Sequence, residues 1–430
     1  MRVLFIEDEG GIDVSRRAME HGHQVKVFTR QYDDYKRPGG RGLVEIVKDW
    51  RPWMRWADLV FLESNNLYMH EMDRWRREGC VIIGGNEESS LWEIDRSRGM
   101  QVFKKAGIPV PPYREFSDYD SAIAYVKRRD EAFASKPSGK CDDKSLSYVA
   151  KTPEDLVYRL SAWKAKHGRP PFPFILQEKV SGIEFAVGAW YGPGGFSPGW
   201  EENWEHKKLM AGDLGPNTGE MGTVLRYVKT SRLAEKVLQP LEPQLERLGY
   251  VGNIDVNCII DDEGNPWPLE FTTRFGWPTF TIQMVLFEWD PIEFLFAFAR
   301  GEDTKGAYRL DDPAVGVIPV LPPFPAAPKN YEDVIGIPIF EMADDFSFEE
   351  VQAWKGDKSG VVAQWATAGM VIGVACASGK TIRQASRKAY RELDQLRMPA
   401  SPYWRNDIGE LLKTDIPKLR AHGFAMGLEY

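Results

Sequence analysis

Along the first hundred residues, solid apolar runs alternate with stretches whose apolar positions recur every three to four residues. "RVLFI" (2–6) is a branched and aromatic run, and the "EDEGGIDVSRRAMEHG" after it sets Val14, Ala18 and Met19 at helical spacing. "QVKVFTR" and "ADLVFLE" read as strands, "YMHEMDRWRREG" as a helix and "CVIIGG" as a further strand. Strands separated by helices predict a doubly wound parallel sheet with helices on both faces. His21-Gly22-His23 stands where the first helix should end, which suits a C-terminal cap better than a metal pair.

Three prolines in "AGIPVPPY" (106–113) break this rhythm and mark a boundary. Beyond it, "AFASKPS", "SYVAK", "FPFILQEKV" and "GIEFAVGAWY" predict a more antiparallel, hairpin-rich region. "VGNIDVNCIIDDEGNPWPLEFTTRFG" reads as strand, acidic glycine-containing turn and strand. A second proline-rich stretch, "GVIPVLPPFPAAPKN" (316–330), opens a last region with the strand "GMVIGVACASG" and the amphipathic helix "TIRQASRKAYRELDQL". The expected domains are 1–108, 109–305 and 306–430.

Composition narrows the class of partner. A net charge of −8 over 430 residues disfavours a bulk nucleic-acid surface. No apolar run approaches the roughly 18 residues of a membrane span. Cys80, Cys141, Cys258 and Cys376 form no CxxC pair, which suits reduced thiols in a cytoplasm. Small-molecule substrates and a cytoplasmic monomer or homodimer are therefore expected.

Four segments carry candidate chemistry. Asp255 and Glu270 fall on two strands joined by "DDEGN", so both carboxylates can share one face and hold Mg²⁺ between phosphate oxygens. Lys136 opens "KPSGKCDDKS", a loop with Gly139, Lys140 and Lys144 suited to covering phosphates. Backbone at Glu178-Lys179-Val180 can meet an adenine edge, with Glu184 placed for a ribose hydroxyl. "GDLGPNTGEMG" (212–222) concentrates permissive backbone in a way no simple turn requires.

In order along the chain, these segments resemble the ATP-grasp superfamily, and within it the glycinamide ribonucleotide synthetase (phosphoribosylamine–glycine ligase) family. "EHKKLMAGDLGPNTGEMG" is similar to that family's DHKR…GDTGPNTGGMG, "PLEFTTRFG" to IEFNxRFGDPE, and "YWRNDIG" (403–409) to FYRxDIG. The resemblance implies a multidomain α/β ATP-grasp fold. An N-terminal doubly wound parallel-sheet (pre-ATP-grasp) domain would precede a two-lobed ATP-grasp domain, whose phosphate-loop lobe spans about 114–180, and a small C-terminal α+β domain. The implied activity joins a carboxylate, glycine or another amino acid, to an amine through an acyl phosphate, using ATP with Mg²⁺ or Mn²⁺. It also implies roles. Arg96, Lys136, Lys144, Glu178, Val180 and Glu184 would bind ATP, and Asp255, Glu270 and Thr272 the metal. Gly10, Gly11, Asn217, Thr218, Gly219 and Arg274 would bind substrate, with Arg274 and Lys207 catalytic.

The departures point to the amine side. Arg96 replaces the usual Lys, and Thr272 the usual Asn. The family's GGREH reads "GGIDV" (10–14), PEAPL reads "ESNNL" (63–67), and GPSKAAAQLE reads "GGNEESSLWE" (84–93). Acids where a sugar phosphate should sit oppose phosphate binding, so a ligase with another amine acceptor is expected. On this reading Ile12→Arg with Val14→His should restore phosphoribosylamine use. The alternatives are a genuine purine-pathway ligase, which the full-length colinearity favours, and a non-catalytic ATP-binding regulator, which Thr272 favours.

Overall fold

The computed structural model describes residues 1–7, 12–30, 38–139, 146–356 and 360–430. Strands β1 (Arg2–Glu7), β2 (Gln24–Thr29), β3 (Leu59–Leu62) and β4 (Ile82–Ile83) form an all-parallel sheet in the order β2-β1-β3-β4. Their unbroken apolar runs are covered on both faces, as a parallel sheet demands. Val3, Phe5 and Phe61 pack with Ile12, Val14 and Ala18 of the helix Ile12–Glu20. Leu4, Ile6, Val60 and Leu62 face Trp50, Met54 and Met72 on the other side. The first helix stops where expected: the Gly22 N–H donates to the Met19 carbonyl at 2.9 Å, with Gly22 at φ 85°.

A second sheet contains β5 (Tyr113–Phe116), β6 (Phe133–Pro137), β7 (Tyr148–Val149) and β8 (Phe174–Glu178), antiparallel in the order β5-β8-β6-β7. Helices Tyr119–Arg129 and Pro153–His167 bury Val126, Leu156 and Leu160 against it.

The third sheet is nine-stranded. It uses β9 (Ile183–Gly192), β10 (Gly195–Phe196), β11 (Trp200–Glu205), β14 (Gly222–Val228), β15 (Gly252–Ile260), β16 (Pro266–Thr272) and β17 (Ala314–Val317), and it continues through Gly373–Ser378 and Ser347–Phe348. The order is β16-β15-β9-β11-β14-β17, with β10 beside β9. Because β14 pairs with β17, this sheet runs across residue 305 without a break. Strands β12 (Lys208–Met210) and β13 (Leu214–Asn217) stand apart as a two-stranded hairpin.

Candidate active site

The site lies on one face of the third sheet, and strand register builds it. Asp255 is opposite Thr272, and Asn257 opposite Glu270, so the expected metal residues share a face. On the other flank of β15, Asp255 faces Gly188 and Asn257 faces Ala186; β11 in turn brings Glu201 opposite Gly188 and Asn203 opposite Ala186. Gly188 leaves room for two carboxylates: a Cβ there would stand 3.2 Å from Asp255 Oδ2 and 3.3 Å from Glu201 Oε2. Asn203 Nδ2 donates to both acids, at 2.8 Å to Asp255 and 3.0 Å to Glu201. Burial raises the Asp255 carboxyl well above its usual range, and Glu201 and Glu205 raise it further. Burial likewise pushes Glu201 up to about 7.

Three cations face these acids. Lys207 Nζ lies 2.6 Å from Glu184, 2.8 Å from Glu205 and 3.8 Å from Glu270. Burial alone would depress its ammonium, but the three carboxylates outweigh that and hold it well above the ordinary lysine value. The Arg96 guanidinium pairs with Glu270 Oε2, and its Nη1 is buried with no partner among the described residues. Lys136 Nζ donates to Gln177 Oε1 at 3.1 Å. Burial lowers Lys136 to about 8, helped by Arg96 and Lys207 and opposed by Glu270. Ser138 fixes this juxtaposition: its hydroxyl donates to Asp95 at 3.0 Å and accepts from the Ser97 N–H at 3.0 Å, tying the loop after β6 to the start of the helix Arg96–Lys105.

Arg274 lies at the edge of the same region, with Nη2 3.0 Å from Glu93 Oε1, while the other Glu93 oxygen accepts from the Thr273 N–H at 2.9 Å. The glycine-rich segment is a solvent-exposed hairpin rather than an open loop. Thr218 gives both its N–H and its hydroxyl to the Lys207 carbonyl, at 2.8 and 2.9 Å, so it positions Lys207. Asn217 and Gly219 are exposed. The C-terminal "YWRNDIG" clamps the hairpin from behind. The buried Arg405 reaches Asp213 at 2.7 Å and the Lys208 carbonyl at 3.2 Å, and also pairs with Asp407, which accepts from the Gly212 N–H at 2.8 Å. The Gly409 N–H donates to His206 Nε2 at 3.1 Å; burial first, and then Arg405, lowers that imidazole to about 4, so it stays a neutral acceptor.

The structure thus brings together Arg96, Lys136, Glu184, Lys207, Asp255, Glu270 and Thr272. Gly10, Gly11 and Lys144 lie outside the described residues. Glu178 pairs with Arg129 at 2.9 Å; its N–H goes to the Pro112 carbonyl and that of Lys179 to Ala132. In this tripeptide only the Val180 N–H has no partner among the described residues, which narrows the expected adenine contact to that donor. Ile12 and Val14, expected to mark the substrate surface, are instead core residues, 2% and 4% exposed. An Arg at 12 would be buried among Val44 and the β1 side chains, so the proposed restoration by Ile12→Arg with Val14→His fails on packing. Sequence reading missed Asn257, whose Oδ1 is buried with no donor among the described residues while its Nδ2 donates to Glu205 at 2.8 Å. The period-two alternation that paired Asp255 with Thr272 also places Asn257 on this face.

Residues 96–280 match the family model described as phosphoribosylglycinamide synthetase, ATP-grasp (A) domain. Phosphoribosylamine–glycine ligase of Salmonella typhimurium is 26% identical over 349 residues, covering 79% of each chain. Over that domain the chain is similar to this family of ATP-grasp ligases. Its fold agrees: the crystal structure of phosphoribosylamine–glycine ligase from Thermotoga maritima superposes with a TM-score of 0.73 at 19% identity, over 95% of this chain and 100% of that one. The biotin carboxylase domain of Hydrogenobacter thermophilus 2-oxoglutarate carboxylase, solved with MgADP and bicarbonate, gives 0.62 at 14% identity, over 98% of this chain and 95% of that one. Among the described residues of this chain no helix is long and apolar enough to cross a membrane.

Proposed function

We propose that this protein is an ATP-dependent carbon–nitrogen ligase, which activates an amino acid carboxylate, glycine being the first candidate, and joins it to an amine that is not phosphoribosylamine. The donor set fits ATP with Mg²⁺. Asp255 and Glu270 offer hard carboxylate oxygens, and the orphaned Asn257 Oδ1 adds the amide oxygen that Thr272 does not supply. A bound Mg²⁺ would offset charge on the phosphates during transfer. Arg96, through its unpartnered Nη1, and Lys136 would hold phosphate oxygens. An incoming phosphate anion would restore the full charge of Lys136, which burial has lowered. Val180 and Glu184 would contact adenosine, and Arg274 the carboxylate, to which its forked donors are matched.

The carboxylate oxygen attacks the terminal phosphorus, and ADP leaves with the electron pair of the broken P–O bond. The neutral amine nitrogen then attacks the acyl carbon, phosphate departs with its C–O electron pair, and the nitrogen releases a proton. Lys207, kept charged by three carboxylates, would offer its ammonium to the phosphate oxygens.

One observation carries the altered acceptor. A cleft of about 360 Å³ opens beyond β3 between Asn65, Asn66, His70 and the helix Glu87–Ile94, the helix whose Glu93 holds Arg274. Its walls include Glu71 and Glu87 and, among the described residues, no Lys or Arg. A phosphate dianion needs charge-assisted donors, and this wall offers no cation of its own for one, its Glu71 being paired with Arg51 at 2.8 Å. The test is ATP-dependent ADP release with glycine and a panel of amines; turnover with phosphoribosylamine as the preferred acceptor would sink the proposal.

A further inference from the structure

A second group of acids lies outside the nucleotide face. Glu7 ends β1 and Glu63 follows β3, two adjacent parallel strands whose register pairs Ile6 with Leu62. The Glu63 N–H still donates to the Ile6 carbonyl at 3.0 Å, so Glu7 and Glu63 are neighbours at the C-terminal edge of the sheet. That edge is where doubly wound sheets take ligands. Glu349 reaches the same place from the chain's last third: burial raises both Glu7 and Glu349 well above the usual carboxylate range, and Glu63 raises each further.

Glu7 is 1% exposed, and neither of its carboxylate oxygens has a hydrogen-bond partner among the described residues. Arg16 and Arg17, on the neighbouring helix, are committed to Asp13 at 2.9 and 2.6 Å. A buried carboxylate without a partner is costly, and like charges on neighbouring strands add to the cost. Among the described residues no three acids converge closely enough to hold a metal ion. An alkylammonium carries three N–H donors and can bridge carboxylates held on separate elements.

The group is also close to the reaction centre. Trp277 lies beside Glu349 and is three positions after Arg274, at most about 10 Å of extended chain. Phe275, between them, stacks on Phe61 of β3 at 3.8 Å and fixes that path. We propose that Glu7, Glu63 and Glu349 form a subsite for a protonated nitrogen, so that the amine acceptor is a diamine. One nitrogen is held there as ammonium while the other, neutral, attacks the acyl phosphate. This rests on the ligase reading above, in which an amine is the second substrate.

Calorimetric titration of the full chain with 1,3-diaminopropane, 1,3-propanediol and ribose 5-phosphate tests it. The diamine is expected to bind at least tenfold more tightly than the uncharged diol, with no heat from ribose 5-phosphate. Glu7→Gln should remove that preference and leave ATP affinity unchanged; should Glu7→Gln fail to fold, Glu349→Gln carries the same expectation. Equal affinity for diamine and diol, or a preference retained in the variants, overturns the subsite. Diamine-selective binding with no ADP release upholds the subsite and removes the ligase reading; release supported equally well by propylamine, whose one nitrogen cannot be both held and attacking, does the reverse.

Discussion

Replacing Glu270 by Gln separates two roles that the structure assigns to one side chain. The carboxylate is an expected metal ligand, and in the ligand-free arrangement it also neutralises Arg96 and lies 3.8 Å from Lys207. Loss of one preorganised charge contact at a reacting centre costs about 3–4 kcal/mol, so kcat should fall by about 10²–10³. Metal-free ATP affinity should move the other way. At 4 Å and an effective dielectric of 20 a unit pair is worth about 4 kcal/mol. Glu270 is 26% exposed, and solvent screening cuts the usable part to about 1 kcal/mol, or about fivefold tighter binding of the triphosphate. Titration of ATP in EDTA and in Mg²⁺, beside steady-state turnover, reads both effects. A variant that keeps a tenth of parental turnover, or binds metal-free ATP more weakly than the parent, refutes the assignment.

Three further outcomes are expected. Arg405→Ala should free the glycine-rich hairpin; breaking a pair with one buried member costs up to about 3 kcal/mol, so proteolytic cleavage within 211–219 should quicken about 100-fold. Because the folded Glu7 and Glu349 carboxyls lie above their unfolded values, the stability they contribute is present at low pH and lost as pH rises through their folded values. Thermal melts from pH 5 to 8 should therefore show falling stability, and Glu7→Gln a shallower fall with the larger gain at pH 8. A purine-auxotrophic strain lacking phosphoribosylamine–glycine ligase should not be rescued by this chain; robust growth would favour the purine-pathway reading.

Much of this was legible in the chain because unbroken apolar runs mark the parallel strands and period-two alternation marks the β15–β16 pair. The parallel N-terminal strands, the β15–β16 pair and the shared face of Asp255 and Glu270 all follow from local pattern. What stayed hidden depends on contacts distant in sequence. The Arg405 clamp joins residues 213 and 405, and the acidic group joins the ends of β1 and β3 to residue 349. The helix carrying Ile12 and Val14 was placed correctly, and its spacing already set Val14 and Ala18 on one apolar face, so the motif equivalence that took positions 12 and 14 as surface ran against that pattern, and both proved to be core. The composition of "GDLGPNTGEMG" shows permissive backbone, and composition is blind to the anchors that make it a hairpin.

The central claim is that these residues activate a carboxylate by phosphorylation and pass it to nitrogen. Incubating the protein with ATP, Mg²⁺, hydroxylamine and each common amino acid in turn tests it most directly, since hydroxylamine captures an acyl phosphate as a hydroxamate. The account predicts hydroxamate and ADP in equal amounts for at least one amino acid, with both lost in Glu270→Gln. ATP binding with no carboxylate-dependent ADP release for any of them would contradict it.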